Sequence, residues 1–359
     1  MAVTIQSTPK EYSPSDNPLT YTFSSDQTAQ ANFSFVIETY FNTVKVGEDR
    51  VFVESFSYGH IDISSHIKPL ISAGGKLLTV INEIPVGSIN IKVYESYGTT
   101  PTLQANSTSG VTKVWKACIA QERFITEDFD TTYKQIKWLT NQPNDTFKVP
   151  VGNDVYLTML NGVGTTHWKI DYKTAVASLG TVEADTTFDI MQINANSVLN
   201  GFPTATYAIV SNDDDTPFRI DFMTENCENF NVVYWVNEYG AIDQYTFDHS
   251  EESSGTSVSE GYSRAFGAWS GTNFNYTSSA GQRNNIVTTT RKITLNSGYM
   301  SSLTQNWLNE VVQSPRHWIY LLPWTLTNAS FTDEDDRFED LISYSLSFNH
   351  IFLKDSPTV

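Results

Sequence analysis

The sequence predicts a mainly β protein, built as two or three β-sandwich-like domains in tandem with one short helix in the C-terminal domain. Three observations predict it. Thr, Ser, Tyr, Phe, Val and Ile dominate, with 19 glycines and 13 prolines spread along the chain, as in short strands joined by turns. Apolar and polar residues alternate in many short runs, the period of a half-buried strand. Only Ser302–Gln313 carries a strong apolar stripe at helical spacing. The 359 residues suffice for two or three domains of ordinary size. At 13% aromatic and 17% charged residues, the chain is too aromatic for disorder and low in charge for a helical protein.

Residues 1–30 read as an N-terminal extended arm, because Pro9, Pro14 and Pro18 exclude a helix and suit an edge strand. Leu19, Tyr21 and Phe23 alternate with threonines and give one short strand near its end. Residues 31–145 read as a first β domain. Asn32–Phe41 alternates clearly, and Val51–Phe56 is its expected partner. Ser64 or Ser65 is the expected cap of a short helix through Ile71, kept short by Pro69. Ala73-Gly74-Gly75 reads as a loop. Ile89, Ile91 and Val93 share one face of a strand over Ile89–Tyr94. Gly98–Gly110 reads as a hairpin connection or exposed loop. Val111–Phe124 resumes β character, Thr126–Thr132 is acidic and expected at the surface, and turn residues around Pro143 set a soft boundary.

Residues 146–225 read as a second β domain. Val155–Leu160, His167–Tyr172, Phe188–Ile193 and Thr206–Val210 are short strands at sandwich spacing. Asp213-Asp214-Asp215 is a turn before a strand at Phe218–Met223. Residues 226–359 read as a third β domain. Asn231–Val236 and Ile242–Phe247 form a hairpin about Asn237, Glu238, Tyr239 and Gly240, where the glycine supplies a positive φ. Phe230, Val232, Tyr234 and Val236 share one face, with Val233 and Trp235 on the other. Both faces are apolar, so a central strand covered on both sides is expected.

Ser250–Gly281 is rich in Ser, Gly and Thr and exceeds ordinary loop lengths. It reads as a mobile segment or an interaction arm, with Tyr262, Phe266, Trp269, Phe274 and Tyr276 as candidate subunit contacts. Tyr21 in the N-terminal arm is a further candidate. Ser302 and Gln305 suggest a capping box for the helix. Leu303, Trp307, Leu308 and Val311 form its stripe, and Ser314-Pro315 ends it. Trp318–Leu322 reads as a buried strand. Ser343–Phe352 is the last, with Tyr344, Leu346, Phe348 and Phe352 on one face.

Charge and motifs narrow the function. Forty acidic residues against 22 basic give a net charge of −18, which opposes specific nucleic-acid binding. In a ring, repeated acidic faces would line a channel through which DNA slides without sticking. Cys118 and Cys227 are the only cysteines; they read as buried thiols rather than a disulfide scaffold or zinc site. No run approaches about 18 apolar residues, and the start lacks a basic region followed by an apolar one. Neither a membrane anchor nor a signal peptide is expected, so Asn106-Ser107-Thr108 reads as a chance glycosylation triplet. GxSxG, P-loop and HExxH motifs are absent. His60, His66, His167, His249, His317 and His350 do not cluster at ligand spacing. Asp333-Glu334-Asp335-Asp336 opens like a calcium loop, but Arg337 stands where another oxygen ligand is needed. A solvated turn is the better reading. No catalytic residue, metal ligand or cofactor is expected.

Several stretches carry a resemblance. The opening has Asn17-Pro18, Tyr21, Ser24-Ser25-Asp26 and Asn32-Phe33. Asp62-Ile63-Ser64, Tyr94-Glu95-Ser96-Tyr97-Gly98 and Leu139-Thr140-Asn141-Gln142-Pro143 follow. The hairpin contributes Trp235, Asn237, Gly240, Asp243, Tyr245 and Phe247. The last third has Leu295-Asn296-Ser297-Gly298, Trp307-Leu308 and Ser314-Pro315. In this order they resemble a family of virion structural proteins from tailed phages that infect Bacteroidota, crAss-like phages included. The likeness spans nearly the whole chain. The sequence departs from the family at Glu238, where a basic or small residue is expected, and over Ser250–Gly281. The resemblance implies a non-enzymatic tail or neck subunit, with Trp235, Asn237, Gly240, Asp243 and Trp307 as its structural motif. It implies a virion protein made in the host cytoplasm, a homo-oligomer in a symmetric ring touching other tail or neck proteins. A tail-tip adhesin or carbohydrate-binding protein is the alternative, since exposed Trp269 and Tyr276 would stack on sugars.

Overall fold

The computed structural model describes residues 3–53, 57–72, 81–127, 129, 136–143, 146–162, 164–195, 202, 204–213, 217–223, 230–247, 249–264, 267–276, 281–336 and 339–355. It is mainly β, with several sheets and a few short helices, as the composition predicts. Two compact units emerge: Met1–Thr224 with Trp235–Gln244, and Glu225–Tyr234 with Tyr245–Val359.

The first unit opens with β1 (Thr4–Ser7), β2 (Tyr12–Pro14), β3 (Thr20–Ser24), β4 (Ser34–Phe41), β5 (Val44–Val51), β6 (Tyr58–Asp62), α1 (Ser64–Ile67), β7 (Ile81–Glu83), β8 (Val86–Tyr97), β9 (Thr102–Thr108) and β10 (Thr112–Trp115). One sheet runs β1-β3-β6; a second runs β2-β10-β8-β4-β5, with β9 also paired to β8. Alternation places Tyr21 and Phe23 of β3, Phe35 and Ile37 of β4, and Ile89, Ile91 and Val93 of β8 in one shared core. Phe23 meets Phe35 edge-on at 4.7 Å between ring centres.

Four expectations need correction here. The N-terminal segment is no free arm: β1 pairs antiparallel with β3 and β2 pairs parallel with β10. Its prolines exclude a helix but are tolerated at a sheet margin, where β2 lies. β4 pairs with β5, not with Val51–Phe56, through a reversal at Asn42 and Thr43, both at positive φ; residues 54–56 lie outside the described residues. Asp62, rather than a serine, stabilises the start of α1: its Oδ1 accepts from the N–H groups of Ser64 and Leu19, each at 2.9 Å. The stretch Gly98–Gly110 contains β9, a full strand. The loop expected at Ala73-Gly74-Gly75 lies outside the described residues.

The same unit continues with α2 (Gln121–Thr126), β11 (Ile136–Trp138), β12 (Thr146–Pro150), β13 (Tyr156–Asn161), β14 (Thr166–Lys173), β15 (Ser178–Thr186), β16 (Ile190–Asn194), β17 (Tyr207–Asn212) and β18 (Phe218–Met223). The sheets run β11-β13-β16-β7 and β12-β18-β17-β14-β15. Trp138 of the first meets Phe218 of the second edge-on at 6.1 Å, so the two share a core. Because β7 pairs with β16, hydrogen bonding runs across the expected division near residue 145. α2 escapes a reading by periodicity because it buries none of its residues and so shows no stripe. Asp213 ends the expected acidic turn; 214 and 215 lie outside the described residues.

The second unit is formed by β19 (Asn231–Val236), β20 (Ile242–Phe247), β21 (His249–Arg264), β22 (Gly267–Ser270), β23 (Asn273–Tyr276), β24 (Gly281–Met300), α3 (Ser302–Gln313), β25 (His317–Ile319), β26 (Leu322–Asp336) and β27 (Glu339–Asp355). The tip of the β19–β20 hairpin, 235–244, clusters with the first unit. The sheet order is β20-β19-β25-β26-β27-β24-β21. One residue separates β20 from β21, yet they stand at opposite ends of this order. Every residue of β19 is buried, as a covered central strand requires.

Further corrections belong to this unit. Ser250–Gly281 is no loop: β21 and β24 form a long antiparallel ladder, with Ser250 opposite Leu295, and β22 pairs with β23. α3 is capped by Ser301, whose Oγ accepts from Thr304 N at 3.3 Å, not by Ser302. Leu303 points to solvent, 63% exposed, while Trp307, Leu308 and Val311 are buried. The strand expected at Trp318–Leu322 stops at Ile319 and the chain reverses. Asp333–Asp336 lies in β26 opposite 339–342 rather than in a turn. Tyr344, Leu346 and Phe348 of β27 are buried as expected; the side chain of Phe352 lies outside the described residues.

His317 ties α3 to β25. It is buried, and its Nε2–H donates to the Val311 carbonyl at 2.6 Å. Burial holds its pKa below the ordinary histidine value. The neutral ring is therefore favoured in the fold, and its stabilisation is complete above about pH 6.5. As pH falls below that, the unfolded chain takes a proton that the folded one resists. Stability of the second unit should fall by up to about 1.4 kcal/mol per pH unit until the folded pKa is passed. Urea unfolding between pH 7 and 5 should show this slope, and His317→Gln should flatten it.

Candidate functional site

The residues singled out around the hairpin turn come together in the first unit. Asn237 Oδ1 accepts from the backbone N–H groups of Tyr239 and Ala241, each at 3.0 Å. This is an Asx turn, which asparagine forms readily. Its Nδ2 donates to the Leu139 carbonyl at 2.8 Å. Gly240 has φ +73°, and a Cβ there would lie 1.9 Å from the Lys116 carbonyl oxygen. Only glycine suits both conditions. Thr140 donates to Asp243 at 2.9 Å. Trp235 is wholly buried beside them.

Glu238, where the sequence departs from the resembled family, anchors the turn. Its carboxylate pairs with Arg123 at 2.8 Å and accepts from Asn141 at 2.8 Å and from Ala120 N at 3.1 Å. Its carbonyl accepts from Cys118 N at 2.8 Å. Trp115 Nε1 donates to the Tyr239 carbonyl at 2.8 Å, and the Tyr239 hydroxyl donates to Glu127 at 2.6 Å. Burial, then the Glu127 carboxylate, pushes the Tyr239 phenol above its usual range, so it stays a neutral donor. The turn thus binds segments 115–120, 123–127 and 139–141 through groups that hydrogen-bond one another. This is the chemistry of a clamp. Cys118, expected to be buried, is exposed, because it alternates outward between buried Ala117 and Ile119; Cys227 lies outside the described residues.

The other expected residues separate. Tyr21 cannot be a subunit contact in this fold: it faces inward from β3 and has no exposed surface. Trp307 lies in the second unit, edge-on to Tyr245 at 6.1 Å. Tyr262 is on β21, Trp269 stands opposite Phe274, and Gly267 opposite Tyr276 on the β22–β23 pair. Phe266 lies outside the described residues. β21 closes the sheet order, and its described ladder runs to β24.

One feature was not legible in the sequence. β25 and β26 are joined by Tyr320 (φ +53°) and Leu321 (φ +61°), bracketed by the pair Ile319 and Leu322. Two positive-φ residues in a two-residue hairpin are normally Asn-Gly. With side chains present, each costs roughly 1–2 kcal/mol. Tyr320, Leu321 and Leu322 are nonetheless 53%, 54% and 41% exposed. The Tyr320 hydroxyl reaches Glu252 of β21 at 3.5 Å, and Glu252 pairs with Arg291 of β24 at 2.5 Å.

Among the described residues, no group of three or more His, Cys, Asp or Glu is placed to hold a metal ion. No described helix is long and apolar enough to cross a membrane. No family model matches the chain, and no curated protein matches it. Two solved structures with detectable similarity are of the plexin A4 extracellular region. One contains domains 1 to 8 (7% identity, 96% of this chain and 39% of that one, TM-score 0.20). The other contains domains 1 to 10 (8% identity, 96% and 31%, TM-score 0.19). The chain therefore spans well under half the length of either, and likeness at that level carries no argument.

Proposed function

We propose that the chain is a non-enzymatic structural subunit of a phage virion, building a tail or neck ring through contacts with copies of itself and with other tail or neck proteins. The observation that carries this reading is the ladder of β21, 16 residues long, against β24, 20 residues long, with β21 at the end of the sheet order. A long strand at the end of a sheet order is where a neighbour can add a strand. Repeated head-to-tail contacts of this kind close into rings when the rotation permits. The likeness of the chain's ordered motifs to phage virion proteins supports the same reading.

The test is assembly by the full chain. Replacing residues 257–288 with Asn-Gly closes the ladder at the pair Thr256 and Thr289 and removes the outer ribbon. Native mass spectrometry and negative-stain imaging should then find folded monomers where the parent forms rings. Rings formed equally by the shortened chain overturn the reading. Glycan binding by a monomeric parent favours the tail-tip adhesin instead. Deletion of residues 1–30 is the wrong test, since it removes three strands from the first unit.

A further inference from the structure

We propose that the Tyr320–Leu321 turn is a releasable clasp on the β21–β24 ribbon, closed in the free chain and opened when a neighbouring copy takes the ribbon up. The inference deepens the ring-subunit reading and rests on it. The contact is made inside one copy and within the second unit. Tyr320 comes from the reversal between β25 and β26, and its hydroxyl reaches Glu252 Oε1 of β21 at 3.5 Å. Arg291 of β24 holds the same carboxylate at 2.5 Å. His350 of β27 donates from Nδ1–H to the Pro323 carbonyl, just past the turn, at 2.6 Å. Three neighbouring strands thus each supply a group that fastens the turn, directly or through Glu252. Register places these groups on the core face. Glu252 stands opposite Ile293, and Ile293 opposite Phe348; both apolar residues are buried. Arg291 and His350 oppose one another two positions along, and so share that face. The ladder does not end there. It runs on from the pair Gly255 and Thr290 to the pair Arg264 and Gly281. The clasp grips the ribbon part-way along, where it sets the direction of the portion beyond.

The fastening is weak and works against backbone strain. Tyr320 and Leu321 both hold positive φ, a conformation that disfavours any residue with a side chain. Asn-Gly would close the same reversal without that strain. Burial adds little, since Tyr320, Leu321 and Leu322 all remain exposed. The hydroxyl bond is long for its kind. The pair of Arg291 and Glu252 is partly exposed, and such pairs contribute little. A strained turn held by one long hydrogen bond is a two-state element, because opening relieves the backbone as it gives up the bond. A neighbour that binds the released ribbon then feels the open fraction directly, since apparent affinity scales with the binding-competent population.

The experiment follows backbone hydrogen exchange of the full chain at a dilution where it is monomeric, and association by sedimentation and native mass spectrometry. Tyr320→Phe removes the hydroxyl and keeps the ring. It should speed exchange over 250–256 and 289–295 about fivefold and strengthen association about fivefold. Leu321→Gly relieves the strain with the hydroxyl in place, and should move both readouts the opposite way. In a Glu252→Ala background Tyr320→Phe should change neither, since the contact it removes is already gone. Leu303→Gln, at an exposed position of α3, should match the parent. A merely structural role gives the reverse pattern, in which the destabilised Tyr320→Phe chain associates less. If exchange is unchanged in both turn variants, or shifts the same way in both, while the parent forms rings, the clasp is overturned and the ring reading stands. If exchange shifts as expected but the parent stays monomeric at every concentration, the ring reading and the clasp's part in assembly are both overturned.

Discussion

Gly240→Ala is expected to destabilise the first unit by about 3–5 kcal/mol, a loss that only a few mechanisms produce. Two effects act together. A residue with a side chain at φ +73° costs roughly 1–2 kcal/mol for the left-handed conformation. The steric clash is the greater of the two. The new Cβ would stand 1.9 Å from the Lys116 carbonyl oxygen, a backbone atom between buried Trp115 and Ala117. No flexible side chain is there to move aside. If the turn withdraws, the bonds from Trp115 to Tyr239, from Cys118 to Glu238 and from Asn237 to Leu139 lengthen together. Gly271 supplies the control: its φ is +64°, and a Cβ added there would meet nothing within 4 Å. Gly271→Ala should therefore show the conformational cost alone. Urea unfolding followed by tryptophan fluorescence separates the two, and equal losses in both variants would refute the close approach at Lys116.

The difference between these glycines shows what a single sequence can and cannot tell. Gly240 was legible as a turn residue because it interrupts two apolar runs. Phe218–Met223, Asn231–Val236 and Ile242–Phe247 coincide with β18, β19 and β20 for the same reason: burial writes an apolar pattern. The ladder of β21 and β24 has a backbone that pairs regardless of side chain, and its Ser, Thr and Gly content hides it from periodicity. The reversals at Asn42-Thr43 and Tyr320-Leu321 lack the glycine that normally announces positive φ, so the sequence predicts an apolar strand running on through the second. At the clamp, Trp235, Asn237, Gly240 and Asp243 were legible, but their partners were not. Asn237 and Leu139 are 98 positions apart, and Trp115 and Tyr239 are 124 apart. Nothing local in either segment encodes that meeting, which arises only when the sheets are in place.

Asn237 gives the second large effect, and its variants separate geometry from charge. The side chain is 5% exposed and makes three hydrogen bonds, two accepted and one donated. Asn237→Ala leaves the N–H groups of Tyr239 and Ala241 and the carbonyl of Leu139 without these partners. Each orphaned buried group costs about 1–3 kcal/mol. Because the three share one side chain their losses are not additive, and about 3–4 kcal/mol is expected in total. Asn237→Asp keeps the acceptor for both N–H groups but removes the donor and sets a carboxylate against the Leu139 carbonyl. Such a carboxylate is relieved by protonation, so the aspartate variant should regain stability as pH falls toward 4. The alanine variant should show no such recovery. Equilibrium unfolding of both proteins at pH 7 and pH 4.5, each referred to the parent at the same pH, tests this directly. If the aspartate variant gains nothing on the parent at the lower pH, the buried contact between residue 237 and the Leu139 carbonyl does not hold the turn.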